Sequence, residues 1–332
     1  MSRPIAVFYE QQHWFKPLFA EMDHRGITYV KVNAVEHTFA FEEHPERRFS
    51  VVLNRMSPSA WNREHGDAIF YTLGFLEHLE RRGVRVINGL SAFRVELSKA
   101  AQLSLLDSLG LPYPKARVIH RVSQAAAAAE GLRWPIVVKP NIGGSGAGVK
   151  RFDSMETLEV AAARGELISG LDSTALVQEF IPARGTHIVR VEVLKGKFLY
   201  AIKVHITGET FDLCPADICR TAGGMDLDRA ACPADAPRTG LRVEGYQPPA
   251  EVIADVERIM SHAGVELGGV EYIVDDRDGK RLYYDINALS NFVADGPKVV
   301  GFDPFAKLVD WLEVEAARVN GRPAEPALAG AR

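Results

Sequence analysis

The 332-residue sequence lacks the features of several common classes of protein. No apolar run approaches the roughly 20 residues of a membrane-spanning helix. The N-terminus mixes polar and apolar residues, so we expect a cytoplasmic protein without membrane contact. Lys and Arg number 39 against 43 Asp and Glu, without the positive excess typical of nucleic-acid binding. We therefore expect no nucleic-acid partner.

Cysteine is also scarce. Cys214, Cys219 and Cys232 are odd in number and lie in one loop-like stretch, which argues against a disulfide framework. Three thiolates near His205 are a chemically acceptable zinc set, but the paired C-x2-C spacing of common zinc sites is missing. We interpret the three residues as free structural cysteines.

The remaining composition is that of an ordinary globular protein, with 47% hydrophobic and 25% charged residues. Its length predicts more than one domain. Up to Asn88, short apolar runs alternate with helical patterns, which indicates βαβ units and a mostly parallel sheet. The predicted elements of this part are Ile5–Tyr9, Phe15–Arg25, Thr28–Val32, Ser50–Asn54, Ile69–Arg82 and Val84–Asn88.

From Ser91 onward the pattern is α+β. A long helix is predicted from Ser91 to Leu109, and later strands form two hairpins. The predicted strands are Arg117–His120, Ile136–Lys139, Ala175–Glu179, Ile188–Leu194, Phe198–Val204, Gly269–Asp275 and Arg281–Ile286. His205 to Tyr246 reads as irregular, and since long irregular loops in compact domains are usually functional or disordered, we expect it to line or cover a site.

A glycine-rich loop follows the predicted strand that ends at Lys139. Gly143, Gly144, Ser145, Gly146 and Gly148 leave many backbone N–H groups open to phosphate oxygens, and the lysine adds a positive charge. The loop has neither the G-K-[ST] of a P-loop nor the G-x-G-x-x-G spacing. By itself such a loop is more often a flexible turn, and the lysine on the strand favours the phosphate-binding interpretation.

Two more segments fit a nucleotide site. Gln178, Glu179, Phe180 and Ile181 end a strand and offer backbone groups to an adenine edge with apolar walls beside it, or are simply a strand leaving a domain. Lys99 lies early in the long helix, where a lysine is usually a solvated charge.

The second hairpin is acidic. Glu271 lies on one strand, and Asp285 and Asn287 lie two residues apart on the other, so they project from one face of it. Oxygen ligands of this kind suit Mg²⁺, and a carboxylate among apolar neighbours, such as Asp285, is costly without a partner or metal. The pattern favours a metal site over surface charge.

The order of these features resembles the ATP-grasp superfamily, and within it the RimK-like carboxylate–amine ligases, which are akin to glutathione synthetase and D-alanine–D-alanine ligase. The resemblance implies an α/β (α+β) fold with two α+β subdomains that clasp ATP. Its expected parts are a parallel pre-ATP-grasp domain at 1–92, a central lid subdomain at 93–180, a C-terminal subdomain at 181–320 and a flexible tail at 321–332.

The resemblance also implies roles for individual residues. Lys99 and Lys139 match lysines that reach the ATP phosphates, and the loop from Gly143 to Gly148 matches a mobile loop above them. The adenine hinge is matched by Gln178, Glu179 and Ile181, and the magnesium ligands by Glu271, Asp285 and Asn287. Basic positions near the transferred phosphoryl group or in the substrate loop are matched by Arg190, Lys203 and Arg220.

The implied activity is ATP-dependent joining of a small-molecule or peptide carboxylate to an amine through an acyl phosphate, with release of ADP and phosphate. The implied cofactors are ATP and two Mg²⁺ ions, or Mn²⁺, and the family suggests a homodimer. His13, Arg55 and Arg63 are candidates for binding an anionic substrate, although each alone fits a structural role.

Two other hypotheses remain. The Asp-x-Asn ending at Asp285 also resembles inositol-phosphate kinases of the superfamily, which favours a small-molecule kinase acting on a hydroxyl. A catalytically inactive nucleotide-binding scaffold is the third hypothesis.

Overall fold

A computed structural model describes residues 2–144, 146–206 and 242–321. The strands in these ranges form three sheets. They are β1 (Ile5–Tyr9), β2 (Tyr29–Asn33), β3 (Val51–Arg55), β4 (Val86–Ile87), β5 (Ala116–Ile119), β6 (Ile136–Pro140), β7 (Lys150–Phe152), β8 (Ala175–Glu179), β9 (His187–Leu194), β10 (Lys197–His205), β11 (Arg242–Tyr246), β12 (Leu267–Val274) and β13 (Arg281–Asn287). The helices are α1 (Lys16–His24), α2 (Pro45–Arg48), α3 (Gly66–Arg81), α4 (Leu90–Leu97), α5 (Lys99–Ser108), α6 (Ala125–Ala129), α7 (Met155–Ala163), α8 (Ala250–Ala263), α9 (Gly296–Val300) and α10 (Pro304–Asn320).

The first sheet is parallel, in the order β2-β1-β3-β4, which confirms the predicted βαβ arrangement. Its central strands β1 and β3 are buried along their whole length, as expected for a parallel sheet covered on both faces. Residues of α1 and α10 pack on one face and residues of α3 on the other. Parallel strands place their carboxyl ends on one edge, and the Ser57–Ser59 segment leaves that edge after β3.

The second sheet is antiparallel, in the order β5-β8-β6-β7. Leu158 and Ala161 of α7 and Ala125 and Ala129 of α6 form a separate core with its strands. Strand β6 is central and leads into the glycine-rich loop, so the loop leaves from a rigid support.

The third sheet is antiparallel, in the order β11-β10-β9-β12-β13. Apolar residues of α8 cover one face, together with Leu103 and Leu106 of α5. The helix that begins at Lys99 therefore packs on the C-terminal sheet. The other face supplies side chains to the site described below.

Two sequence predictions on local structure were wrong. The single helix from Ser91 to Leu109 is two helices, because Ser98 is extended (φ −120°, ψ 109°) and its hydroxyl caps α5 by accepting a hydrogen bond from the Ala101 N–H. The end of the stretch predicted as irregular forms strand β11, which pairs with β10. Residues 207–241 and the predicted tail beyond residue 321 lie outside the described residues.

In the described ranges, none of the helices has both the length and the apolar character that crossing a membrane requires.

Candidate functional site

A cavity of about 640 Å³ lies among the three sheets and the loops that leave them. Ser57–Ser59 line it from the N-terminal sheet, and residues of the glycine-rich loop line it from the second sheet. Of the sequence-predicted site residues, the following line the cavity: Lys99, Lys139, Gly143, Gly144, Gly146, Gln178, Glu179, Phe180, Ile181, Arg190, Glu271, Asp285 and Asn287. The structure thus brings together segments that are far apart in sequence.

Lys99 is the first residue of α5. The Asn141 side-chain oxygen accepts from the Ser98 hydroxyl at 3.1 Å and from the Ala100 N–H at 2.9 Å, so Asn141 joins the start of α5 to the end of β6. The Lys99 ammonium pairs with Asp285. Burial lowers the pKa of Lys99, but the Asp285 carboxylate raises it, and the net change is upward. The lysine therefore stays positively charged.

Lys139 projects from β6 into the same cavity but has a different environment. Among the described residues, no ion pair or hydrogen bond is found for its ammonium. Burial and the neighbouring Lys99 charge lower the pKa of Lys139 to about 8. A half-buried cation without a partner is costly, and an anion bound in the cavity would remove that cost.

The acidic side of the cavity comes from the hairpin β12–β13. Glu271 lies opposite Asp285 in the register, and Asn287 donates to Asp285 Oδ2 at 3.1 Å. Burial and the Asp285 carboxylate raise the pKa of Glu271 to about 6, whereas Lys99, against the effect of burial, lowers the pKa of Asp285. The buried Glu271 carboxylate and the partly buried Asp285 carboxylate therefore repel each other, and their environment favours an additional cation.

A β-bulge makes this arrangement possible. The β12–β13 register shifts by one residue between Glu271 and Tyr272, so Tyr284 is the extra residue on β13. Both Tyr284 and Asp285 line the cavity, and the Tyr284 hydroxyl donates to Glu271 Oε2 at 2.7 Å. Sequence reasoning did not identify Tyr284.

Arg190 lies on β9 opposite Glu271. Its guanidinium donates to Glu192 at 2.7 Å, to Glu271 at 3.4 Å and to the Ser290 hydroxyl at 2.6 Å. Ser290 in turn donates to Glu192. This network fixes the guanidinium at the cavity wall and ties the turn after Asn287 to the sheet.

Glu96 is a second residue that sequence reasoning missed. It lines the cavity from α4 and accepts hydrogen bonds from the Ala288 and Leu289 N–H groups. Burial raises its pKa to about 7. A glutamate within an amphipathic helix gives no sequence signal for this role, which depends on packing between distant segments.

The predicted adenine hinge lies at the end of β8. The carboxylate of Glu179 is held by Arg133, which donates to one carboxylate oxygen from its backbone N–H and to the other from its Nε, both at 3.0 Å. Gln178 is buried, and its Oε1 has no hydrogen-bond partner among the described residues. The Ile181 N–H likewise has no partner in the described part of the chain. The hinge therefore contains a side-chain acceptor and a backbone donor that have no partner in the described part of the chain.

The glycine-rich loop comes close to the N-terminal part of the chain. A Cβ atom on Gly144 would lie 2.9 Å from the Ser59 Cβ. Gly146 and Gly148 have positive φ angles of 67° and 74°, a backbone conformation that favours glycine. Glycine is therefore required in this loop both for close approach and for backbone conformation.

The structure does not place Lys203 at the cavity, contrary to the prediction. It faces away from the cavity, on the side of the sheet where Ala201 packs against the α8 core, and its ammonium lies 4.8 Å from the centre of the Tyr246 ring and 3.5 Å from a Glu244 oxygen. Gly148 ends the glycine-rich loop and does not line the cavity. Ser145, Arg220 and the three cysteines Cys214, Cys219 and Cys232 lie outside the described residues.

The three proposed anion-binding residues of the N-terminal domain are not at the cavity wall either. Arg55 is buried and donates to the Ala288 and Ser290 carbonyls. Arg63 donates to the carboxylate of Glu10 at 2.5 Å and 2.9 Å, and His13 is exposed. Arg55 and Arg63 thus have structural partners.

The described residues contain no cluster of three or more His, Cys, Asp or Glu side chains arranged to hold a metal. A metal in this cavity would depend on Glu271 and Asp285 together with the amide oxygen of Asn287. These oxygen donors are of the kind that Mg²⁺ prefers. The donor chemistry therefore fits the ion predicted from the sequence.

The sequence of this chain is similar to those of known protein families. Residues 97–211 match the RimK-like ATP-grasp domain family. Over 125 residues, 38% of this chain and 38% of the relative, the sequence is 30% identical to a D-alanine–D-alanine ligase of Geobacter sulfurreducens. It is 34% identical over 112 residues to the Ectopseudomonas mendocina D-alanine–D-alanine ligase, which is 32% of this chain and 34% of that one. The matches thus span little more than a third of these relatives.

Solved structures resemble nearly the whole chain. The ATP-grasp ligase PsnB complexed with a minimal precursor aligns with a TM-score of 0.66 at 16% identity, over 95% of this chain and 100% of that one. The D-cycloserine synthetase DcsG aligns with a TM-score of 0.62 at 19% identity, over 95% and 99%. The match to the RimK-like ATP-grasp domain therefore extends over residues 97–211, and the described chain as a whole has the fold of these ATP-grasp ligases.

Proposed function

We propose that this protein is an ATP-dependent ligase that activates a carboxylate as an acyl phosphate and joins it to an amine. The observation that carries the proposal is the charge arrangement of the cavity. Lys139 is a cation without a partner among the described residues, and the repelling carboxylates Glu271 and Asp285 line the same space. A polyphosphate and a divalent cation together would satisfy both sides.

The adenine end of the nucleotide fits the hinge. The 6-amino group would donate to the unpartnered Gln178 Oε1, and the Ile181 N–H would donate to a ring nitrogen. Phe180 and Ile181 line the cavity here, and the Arg151 guanidinium lies 4.6 Å from the centre of the Phe180 ring. The same edge thus offers hydrogen bonds and apolar walls, as a purine requires.

The phosphate end would lie between the lysines and the acidic hairpin. Glu271, Asp285 and Asn287 would hold Mg²⁺, which when bound would offset the negative charge on the phosphate oxygens. Lys99 and Lys139 would bind the same oxygens, and the glycine-rich loop would cover them and exclude water from the acyl phosphate.

The reaction needs no nucleophilic side chain. A carboxylate oxygen of the substrate attacks the γ-phosphorus, the bond to the bridging oxygen breaks, and ADP leaves. The amine then attacks the acyl carbon, phosphate leaves, and the amine loses a proton as the amide forms. The chain contributes positioning and charge, which is how phosphoryl transfer is generally catalysed.

The comparisons support this proposal at the level of reaction type. The curated relatives include D-alanine–D-alanine ligases and carbamoyl phosphate synthase large chains, and PsnB has been solved with a minimal precursor, Mg and ADP. Carboxylate and amine substrates, small or peptidic, are therefore the classes to test.

The decisive experiment measures ADP release with a panel of amino acids and short peptides, with and without hydroxylamine. Hydroxylamine converts an acyl phosphate to a hydroxamate, so a carboxylate-dependent hydroxamate is the expected product. A stable phosphorylated alcohol without hydroxamate would establish the kinase hypothesis instead, and nucleotide binding without turnover would leave the inactive scaffold.

A pair of variants tests the site itself. Asp285→Asn removes a charge that faces both lysines, and we expect turnover to fall at least about 100-fold, as for loss of a group that acts on the transferred phosphate. Asp276→Asn is the matched control, because Asp276 is an exposed aspartate of the same hairpin. Turnover by Asp285→Asn equal to that of the control would refute the assignment.

A further inference from the structure

Tyr284 is the extra residue of the β12–β13 bulge, and the proposed reaction assigns it no role. Adjacent residues of a regular strand point to opposite faces of the sheet. The bulge interrupts this alternation at one point, so that Tyr284 and Asp285 both line the cavity. A tyrosine at this position therefore reaches the same space as the carboxylate that follows it in the chain.

The Tyr284 hydroxyl contacts the other carboxylate of the site. It donates to Glu271 Oε2 at 2.7 Å, a length typical of a hydrogen bond to a charged oxygen. Burial and the Glu271 charge raise the pKa of Tyr284, so the phenol keeps its proton and is a donor. Arg190 donates to the second oxygen, Glu271 Oε1, at 3.4 Å. Glu271 is thus held through both oxygens, by one bond from each of the strands that flank β12.

The environment of Glu271 makes such support necessary. Its side chain is buried, at 7% exposure, and lies opposite Asp285 in the register. The two carboxylates repel each other, and Lys99 pairs with Asp285. In the empty cavity this repulsion acts to turn the longer glutamate side chain away from Asp285. Because Tyr284 and Asp285 are consecutive residues of one strand, the bond from Tyr284 fixes the position of Glu271 relative to Asp285.

We propose that Tyr284 is a positioning residue that holds Glu271 in place for a divalent cation bound together with the nucleotide. This inference rests on the proposed function, which assigns Glu271 to the Mg²⁺ of the ATP complex. A carboxylate has about four lone-pair sites, and the bonds from Tyr284 and Arg190 use two of them, so oxygen sites remain for a cation. Loss of a group that orients a metal ligand commonly lowers metal affinity about 10- to 100-fold.

The test measures how strongly Mg²⁺ increases the nucleotide affinity of the whole protein. Calorimetric titrations with the ATP analogue AMPPNP are run with Mg²⁺ and with EDTA, and the ratio of the two dissociation constants is the Mg²⁺-dependent gain. Tyr284→Phe removes only the hydroxyl and keeps the ring, and we expect it to lower this gain by about tenfold. Affinity without Mg²⁺ should stay that of the wild type, because the hydroxyl acts on Glu271 and not on the nucleotide.

Tyr283→Phe is the matched control. Tyr283 is buried on the same strand, and its hydroxyl donates to Asp255 of α8 at 2.9 Å, on the other face of the sheet. The substitution therefore removes the same group and breaks the same kind of bond away from the cavity. It should leave the Mg²⁺-dependent gain unchanged, and urea unfolding verifies that both variants fold.

A double substitution shows whether Tyr284 acts through Glu271. Glu271→Gln removes the charged oxygen that the hydroxyl orients, so adding Tyr284→Phe to this variant should lower the Mg²⁺-dependent gain no further. A further tenfold loss there would contradict the proposed route. If Glu271→Gln does not fold, the comparison of Tyr284→Phe with Tyr283→Phe decides by itself.

Three results of the single substitutions would overturn the proposal. An equal Mg²⁺-dependent gain in Tyr284→Phe and wild type would refute the role of the hydroxyl and leave the proposed metal site intact. Equal losses of affinity with and without Mg²⁺ would mean that the hydroxyl contacts the nucleotide itself. A wild-type protein whose nucleotide affinity does not depend on Mg²⁺ would refute the metal site of the proposed function, and the positioning role with it.

Discussion

Replacing Lys139 by methionine should stabilise the empty protein and weaken its binding of ATP. The pKa of Lys139 is lowered to about 8 from 10.5 by burial and by the Lys99 ammonium. Each tenfold change in proton affinity corresponds to about 1.4 kcal/mol, so a fully shielded group would destabilise the native state by about 3 kcal/mol at neutral pH. Since the side chain is only half-buried, we expect Lys139→Met to raise the free energy of unfolding by about 1–3 kcal/mol.

The pH dependence has a definite sign. Between pH 8 and 10.5 the unfolded chain holds the lysine proton and the native protein has lost it, so the wild type gains stability as the pH rises. The stability difference between Lys139→Met and wild type should therefore narrow from pH 7 to pH 10. ATP affinity of the wild type should fall over the same range, because a neutral amine attracts phosphate less than an ammonium does.

Urea unfolding at both pH values and calorimetric titration with ATP and Mg²⁺ measure these effects. Lys150→Met is the matched control, because Lys150 lies on the neighbouring strand β7, its side chain is 40% exposed and its ammonium lies 3.6 Å from Glu166. It should change stability by less than about 1 kcal/mol and leave ATP binding intact. A Lys139→Met protein that is less stable than wild type, or that binds ATP equally well, would refute the reasoning.

Two further predictions concern packing and acid stability. Gly144→Ala should lower ATP turnover about tenfold, because its Cβ would lie 2.9 Å from the Ser59 Cβ, and adding Ser59→Gly should restore turnover by removing that atom. Turnover that Ser59→Gly fails to rescue would contradict this contact. Glu10→Gln should cost about 2–4 kcal/mol at pH 7 in urea unfolding, because Arg63 and His65 lose a buried carboxylate. Burial raises the pKa of the Glu10 carboxyl, but these partners lower it, and the net change is downward. The stabilisation that Glu10 provides is therefore lost as the pH falls below 4.5. An equal cost of Glu10→Gln at pH 7 and pH 3 would contradict this prediction.

The sequence predicted most strands and the parallel first sheet, because apolar alternation and glycine positions determine these locally. Most of the predicted site residues that line the cavity lie in the glycine-rich loop or at the ends of strands β6, β8 and β13, positions that the same local patterns mark. What the sequence could not predict was the effect of single extra residues in strands. A register shift of one residue exchanges the two faces of a strand, and the local sequence pattern does not predict where such a shift occurs.

Two such shifts decided the composition of the site. In β9–β10 the register shifts between Phe198 and Tyr200, which places Ile202 opposite Arg190 and turns Lys203 to the other face. Without it, Ala201 would lie opposite Arg190 and Lys203 would share its face. In β12–β13 the shift has the reverse effect, since it brings Asp285 opposite Glu271. The sequence alone does not predict that the β9–β10 hairpin turns Lys203 away from the cavity, whereas the β12–β13 hairpin brings Asp285 to it.

The charges that line the proposed nucleotide cavity are also close to balance. Four basic residues, Lys99, Lys139, Arg151 and Arg190, line it together with five acidic ones, Glu96, Asp153, Glu179, Glu271 and Asp285, so the empty site has little net attraction for a highly charged anion. A free nucleoside triphosphate would gain from the lysines but would be repelled by the carboxylates. The magnesium complex, whose charge is partly neutralised, meets much less repulsion. The near-neutral cavity should therefore select the metal complex over the free nucleotide on electrostatic grounds, before any phosphate oxygen is bound.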